Sequence, residues 1–359
     1  MNLSRKPDPR LCTVVVGMSG GVDSSVTALL LKQQGYQVIG LFMKNWEEED
    51  SSGHCHAEKD FEDMAHVCEL IDIPYYGVNF AKEYQERVFS HFLDEIRLGY
   101  TPNPDILCNR EIKFDVFLKK ALSLGADYLA TGHYCQTDGT HLLRGNDPNK
   151  DQTYFLYTIK AHKLKKVLFP IGHLSKAEVR AVAKEHNLPV AEKKDSTGIC
   201  FIGKRPFKAF LQQYLPKTSG PFLTLDGQQV GTHDGMCYYT IGQRKGLEIG
   251  GPGDAWYVVA KDAAQNAVVV VQGENHPALY ASELVATDAS WVSDPPIFPL
   301  RCTAKIRYRS PDVPCTVTQD NGHLLVIFDS SQRAITPRQS IVFYQGNICL
   351  GGAIIANPL

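Results

Sequence analysis

Gly17-Met18-Ser19-Gly20-Gly21-Val22-Asp23-Ser24-Ser25 follows a β-branched run, Thr13–Gly17, and leads into a segment with Val26, Leu29 and Leu30 on one helical face. A glycine-rich turn between a strand and a helix turns backbone N–H groups outward where the helix begins, an arrangement that receives phosphate. Ser19, Ser24 and Ser25 add hydroxyl donors at the same place. No Gly-Lys-Ser/Thr follows, so this is not a Walker A loop, and the spacing is not the dinucleotide G-x-G-x-x-G.

Outward from this loop, strand and helix patterns alternate. Val38–Met43 predicts a second strand, Ala57–Leu70 a helix, Tyr75–Phe80 a third strand and 82–98 a long helix. Phe114, Phe117, Leu118 and Ala121 share a face of a helix near 112–124, and Tyr128–Ala130 supplies another strand that ends in Thr131-Gly132-His133. Such alternation predicts a doubly wound parallel sheet. Two more helices are expected at 176–186 and 206–214. Beyond Gly220 the pattern becomes β: Trp256–Ala260, Ala267–Val271, Leu324–Phe328 and Ser340–Tyr344, with Asp320-Asn321-Gly322-His323 as a hairpin turn. The expected division is 1–205, 206–277 and 278–359, the β region splitting near 274–279.

The 359 residues include 43% hydrophobic and 21% charged residues, enough to build several cores, and the net charge of -2 excludes a uniformly basic chain. The charge is uneven. Residues 45–100 hold 14 acidic and 4 basic residues, whereas 150–208 hold 13 basic and 5 acidic ones. This fits either a face built for a polyanion or charges that cancel in space. The N-terminal MNLSRKPDPRLC lacks an apolar leader and no apolar run is long enough to span a bilayer, so a cytoplasmic protein without membrane attachment is expected. Ten cysteines without any C-x-x-C pair fit reduced, mostly buried thiols.

Two cysteines stand in special surroundings. In Asn103-Pro104-Asp105-Ile106-Leu107-Cys108-Asn109 the prolines stiffen the chain, and capping by Asn109 would set Cys108 beside a helix N-terminus, which favours thiolate. Asp105 suits an acid/base role or an Asx-turn. In Asp195-Ser196-Thr197-Gly198-Ile199-Cys200-Phe201-Ile202-Gly203, Cys200 is flanked by Lys193, Lys194, Lys204 and Arg205, which also favours thiolate. Its apolar neighbours fit a buried strand cysteine equally well. Arg301, Lys305, Arg307 and Arg309 alternate as on one face of a strand, either solvated or set for phosphate.

The loop resembles the S-G-G-x-D-S loop of the ATP pyrophosphatases. With the N-P-D…C segment, Thr131–Tyr134 (TGHY), Lys150–Gln152 (KDQ) and the DSTGICFIG stretch in that order, the whole chain resembles the bacterial tRNA-specific 2-thiouridylases. Tyr239–Gly246 and Lys305–Arg309 fit the resemblance as well. It implies an adenine-nucleotide α-hydrolase-like domain, a small central domain and a C-terminal β-barrel. It further implies ATP, with Mg2+, at Gly17, Met18, Ser19, Gly20, Gly21, Val22, Asp23 and Ser24, with Met43 and Gly132 near the adenosine. Asn103, Pro104 and Asp105 would contact the target base with His133 close by, and Lys150, Asp151, Gln152, Arg307, Tyr308 and Gln339 would contact tRNA. Cys200 would carry a persulfide, Cys108 would be the nucleophile that partners it, and the two would form a transient disulfide. The implied activity is 2-thiolation of the wobble uridine, with AMP and pyrophosphate as products. A cysteine desulfurase or a sulfur-relay protein would be the donor. The stretch Gly53-His54-Cys55-His56 departs from the Ser/Cys-rich pattern expected there, which leaves Cys55 without an assigned role.

Overall fold

The β-branched strand β1 (Thr13–Met18) is buried along most of its length and lies mid-sheet, because Val14 and Val16 face one apolar core while Val15 faces another. The computed structural model describes residues 8–46, 56–194 and 207–359. Strand β1 pairs in parallel with β2 (Gln37–Lys44) and β4 (Tyr128–Thr131), and β3 (Tyr75–Asn79) adds beyond β2. The two-residue β7 (Val167–Leu168) adds beyond β4, giving the order β3-β2-β1-β4-β7. Helices Val22–Gln33, His56–Leu70 and Lys176–Glu185 cover one face through Val26, Leu29, Val67 and Val179. The helical segments 81–97 and 104–123 cover the other through Phe92, Phe114 and Phe117. This is the expected doubly wound sheet. Chain order reverses on the two sides of β1, which opens a crevice at the carboxyl ends of β1 and β4.

Between β4 and β7 the chain leaves this sheet. Strands β5 (Cys135–Thr137) and β6 (Leu142–Arg144) form a hairpin whose second strand pairs with the C-terminal strand, Leu142 opposite Cys349. Three-residue strands carry too little pattern to be read from sequence. Arg144 locks the junction, its guanidinium 3.6 Å from the centre of the Tyr344 ring and 2.8 Å from Asp312.

The central unit is a four-stranded sheet of β8 (Gly220–Leu223), β9 (Gln229–His233), β10 (Trp256–Asp262) and β11 (Ala267–Gln272), packed on Phe222, Val258, Val268 and Val270. The last unit contains β12 (Tyr280–Trp291), β13 (Leu300–Lys305), β14 (Val313–Asp320), β15 (His323–Arg333), β16 (Ser340–Gln345) and β17 (Ile348–Pro358). Pairing of β12 with β17 closes these six strands into a barrel. Asn321 and Gly322, at φ 49° and 82°, make the tight turn that the Asn-Gly pair predicts.

One expectation is corrected. The strand expected to carry basic residues through Arg309 ends at Lys305, and Arg307 and Tyr308 lie in a bend that turns toward the protein.

Candidate active site

The loop after β1 is shaped by backbone conformation. Gly20 has φ +69°, and a Cβ there would sit 2.3 Å from the carbonyl oxygen of Asp60. Gly21 begins the helix Val22–Gln33 with no side chain capping it, so the first N–H groups are left for another acceptor. The hydroxyls instead brace the loop: Ser24 Oγ accepts from the Ser19 amide at 3.2 Å, and Ser24 and Ser25 donate to the Gly21 carbonyl. Asp23 faces the crevice and accepts from Lys176 Nζ (2.7 Å) and the Tyr134 hydroxyl (2.7 Å). Lys193 Nζ donates to the Gly20 carbonyl at 2.9 Å and to the carboxylates of Asp60 and Asp63. Part of the basic segment therefore cancels part of the acidic one in space.

Gly132 follows β4 and lies against the loop, since a Cβ on it would be 2.8 Å from the Ser24 nitrogen. Met43, at the end of β2, is buried at the same edge of the sheet. The next residue, His133, is buried between Phe114 and Phe169 and hydrogen-bonded through Nδ1 to Thr131 Oγ1 at 2.7 Å. Burial, helped by the charge of Lys113, holds its pKa well below the usual histidine value, so the ring is neutral at pH 7. Gln152 accepts from the Tyr134 amide at 2.9 Å, which ties the KDQ segment to TGHY.

The segment 103–109 differs from its expected geometry. Asn103, not Asn109, caps the helix: its Oδ1 accepts from the amides of Asp105 and Ile106, with Pro104 at the first helical position. Cys108 is fully buried and its amide bonds back to the Pro104 and Asp105 carbonyls, so it lies beyond the first turn, where the effect of the helix end has faded. Asn109 instead donates to the Phe155 carbonyl at 3.2 Å, while its buried Oδ1 has no partner. Phe117, further along the same helical stretch, closes against Gly17, whose Cβ position is 3.1 Å from the ring. The loop, the helical stretch that starts at Asn103, TGHY and KDQ are thus joined through Gly17–Phe117, Gly132–Ser24, Asp23–Tyr134, Tyr134–Gln152 and Phe114–His133.

Among the tRNA-contact candidates, Asp151 is buried and its carboxylate is taken by Thr153, the Gly145 amide and Arg144. It can fix Lys150 and Gln152 but does not itself face outward. Arg307 donates to the Ile241 and Ala334 carbonyls and to Thr336 Oγ1, joining the central unit to the barrel. Tyr308 packs on Phe155, with ring centres 4.4 Å apart, and Gln339 donates to the Thr101 carbonyl. Cys200 and its DSTGICFIG stretch, together with Cys55, lie outside the described residues. The sequence reading does not single out Lys176 or the Tyr134 hydroxyl, and it places Lys193 beside Cys200 and not on the Gly20 carbonyl. The signal available for the lysines was their place in the basic segment, which marks charge without marking which lysine reaches the loop.

Among the described residues, no helix is long and apolar enough to cross a membrane. Family models match residues 12–204 (tRNA methyl transferase HUP domain), 208–272 (tRNA methyl transferase PRC-barrel domain) and 281–355 (aminomethyltransferase beta-barrel domain). Solved structures similar to part of the chain include NMN synthetase from Francisella tularensis, with TM-score 0.34 and 17% identity, covering 53% of this chain and 67% of that one. A 4-thiouridine synthetase–RNA complex with bound ATP matches at TM-score 0.35 and 17% identity, covering 56% and 49%. Over nearly full length the chain is 60% identical to the tRNA-specific 2-thiouridylase MnmA of Protochlamydia amoebophila, covering 96% of this chain and 94% of the relative. It is 58% identical to that of Exiguobacterium sibiricum, covering 98% and 96%. This chain therefore belongs to the tRNA-specific 2-thiouridylase family, and it is a tRNA sulfurtransferase.

Proposed function

We propose that the enzyme converts the wobble uridine of tRNA to 2-thiouridine by adenylating the base and then displacing AMP with sulfur. The observation that supports this reading is that the Gly17–Ser24 loop is joined to the helical stretch that starts at Asn103 and to the TGHY and KDQ segments, through Gly17–Phe117, Asn109–Phe155 and Asp23–Tyr134–Gln152. In this reading the division into units is 1–205, 206–277 and 278–359, the first holding the chemistry and the last contacting tRNA.

ATP binds with its phosphates on the uncapped amides of residues 19–24 and its adenosine beside Met43 and Gly132. The uracil C2 oxygen attacks the α-phosphorus and pyrophosphate leaves, so the poor leaving group of the base becomes AMP. The terminal sulfur of a Cys200 persulfide reaches C2 and AMP departs. Cys108 thiolate takes the Cys200 sulfur, either releasing sulfide before attack or resolving the adduct after it. Both orders end in a Cys108–Cys200 disulfide that an external dithiol must reduce. Asn103, Pro104 and Asp105 hold the target base, Asp105 moves its proton, and neutral His133 keeps the wall of the pocket uncharged. A base buried this deeply must leave its stack. Lys150, Gln152, Arg307, Tyr308 and Gln339 shape the surface for tRNA, with Asp151 fixing its neighbours.

Mg2+ is part of this reading. Among the described residues no group of three or more His, Cys, Asp or Glu forms a metal cage, and the Asp23 carboxylate lies in the loop itself. That fits an ion brought in by the phosphates, which holds few protein ligands. The sulfur comes from a cysteine desulfurase or a relay carrier, and the compartment is the cytoplasm.

The test incubates the protein with unmodified tRNA, ATP, cysteine and a cysteine desulfurase. Nucleosides are read by mass spectrometry and nucleotides by chromatography. Equal amounts of 2-thiouridine, AMP and pyrophosphate are expected, whereas ADP and phosphate as products would overturn the adenylation step. With radiolabelled sulfur, Cys200→Ser should carry no label, and Cys108→Ser should carry label without turning over.

A further inference from the structure

A cavity of about 320 Å³ opens where all three units meet, walled by 98–101 of the first, Met236, Ile241, 259–261 and Ala263 of the central unit, and 278–281 and 334–337 of the last. None of the chemistry above uses it. Its size lies within the range of small-ligand sites. Its wall includes Gly99 at φ +84°, a conformation that favours glycine, packed beside the Met236 methyl.

Three features describe its occupant. The interior is mostly apolar, and two lining tyrosines, Tyr100 and Tyr280, are exposed by 38% and 37%; the Arg338 guanidinium lies 5.4 Å from the centre of the Tyr100 ring, and the rings can stack on a flat base through their remaining faces. The largely buried Lys261 ammonium donates to the Gly99 carbonyl at 2.7 Å and retains N–H groups for an acceptor in the cavity. Burial pushes its pKa down to about 8, which leaves it mainly protonated at neutral pH. The walls are also continuous with the surface assigned to tRNA, because Arg307 bonds to Ile241, Ala334 and Thr336 and Gln339 bonds to Thr101.

We propose that this cavity receives a second nucleobase of the bound tRNA, a neighbour of the thiolated uridine in the anticodon loop, stacked on the lining tyrosines with a ring acceptor on Lys261. The inference rests on the wobble-uridine reading. It gives the enzyme a way to check sequence beside its target: a base with a carbonyl toward Lys261 gains a charge-assisted hydrogen bond that an abasic sugar cannot make.

The experiment measures equilibrium binding of full-length protein to tRNA transcripts, each carrying one abasic nucleotide in the anticodon loop. Wild type is compared with Lys261→Met and with Ala278→Trp, which fills the mouth from an exposed position and leaves the core untouched. One position other than the target uridine should lose about tenfold in wild type. Both variants should bind intact tRNA about tenfold more weakly, with no further loss at that one position. Losses that simply multiply at every position would overturn the pocket. So would coupling confined to the target uridine, which would assign the cavity to the reacting base. Failure of wild type to bind tRNA at all would remove the reading on which the inference rests, a result distinct from multiplicative losses.

Discussion

The loop after β1 and the basic run after β13 each gather residues expected at a polyanion, and they are built in opposite ways. In the loop, the groups proposed to bind are backbone amides whose direction follows from one conformation, that of Gly20 at φ +69° against the Asp60 carbonyl. In the basic run, the binding groups would be long side chains, and the protein claims several of them. Arg301 pairs with Asp329, Arg307 is bonded to three neutral acceptors across two units, and of the four Lys305 and Arg309 alone have neither a side-chain hydrogen bond nor an ion pair among the described residues. A site made of backbone is specified within a few residues. A site made of charged side chains depends on what the rest of the chain brings to them.

The sharpest way to break the comparison is Gly20→Ala. The new methyl group meets backbone and not a flexible side chain, so the loop must shift by an ångström or more. Such a displacement should cost about 100-fold in pyrophosphate release. Affinity for tRNA, carried by other surfaces, should be unchanged in a filter-binding assay. A variant that cleaves ATP normally would show that the loop conformation is not what receives the phosphates.

Next in size is the joint between the two regions. Glu95 is buried in the helical segment 81–97, and Arg338, at φ 68° in the barrel, meets it with two nitrogens. Glu95→Gln leaves the guanidinium without its counter-charge. The cost should be about 2 kcal/mol in urea unfolding, below that of a wholly buried pair because the Arg338 side chain is 35% exposed. Arg307→Lys probes the same joint from the other side. All three bonds leave one nitrogen, Nη2, and the shorter lysine does not reach its position, so about 1–2 kcal/mol should be lost and tRNA affinity should fall in step with stability. If affinity fell with stability intact, Arg307 would be a direct phosphate contact.

These joints explain what could be read ahead of the structure. The parallel sheet was legible because Thr13–Gly17, Val38–Met43 and Tyr128–Ala130 carry buried β-branched and apolar runs, and the barrel hairpin because Asn-Gly supplies two positive φ angles. The helix start was misread at Asn109. Both asparagines suit a cap, and the choice of Asn103 turns on Pro104 and on Asn109 being drawn to Phe155. The β5–β6 hairpin, Lys176 on Asp23 and Arg307 across the joint were not legible, since each depends on a partner far away in sequence.

His133 offers a smaller effect with a definite sign. Its pKa is lowered in the folded state by burial and by Lys113, so below pH 6.5 the unfolded chain takes up a proton that the folded chain refuses. Stability should therefore fall as pH drops below about 6.5. His133→Asn, which can keep a hydrogen bond to Thr131, should flatten that part of the profile in thermal melts between pH 7 and 5. An unchanged slope would mean that the acid sensitivity arises elsewhere.

The smallest expected effect isolates the basic run itself. Arg309 is exposed and makes no ion pair among the described residues, so Arg309→Ala should leave the melting temperature where it is. If its guanidinium meets a phosphate, the slope of log affinity against log salt should decrease by about one unit, and affinity at low salt should drop severalfold. Arg301→Ala makes the matched control. It frees Asp329 on the same barrel surface, so any loss there mixes a lost cation with a newly exposed carboxylate, and its salt slope should change by more than that of Arg309→Ala. Equal slopes for wild type and Arg309→Ala would reduce the run to a solvated edge. The tRNA contact would then rest on Lys150, Gln152 and the residues around the three-unit cavity.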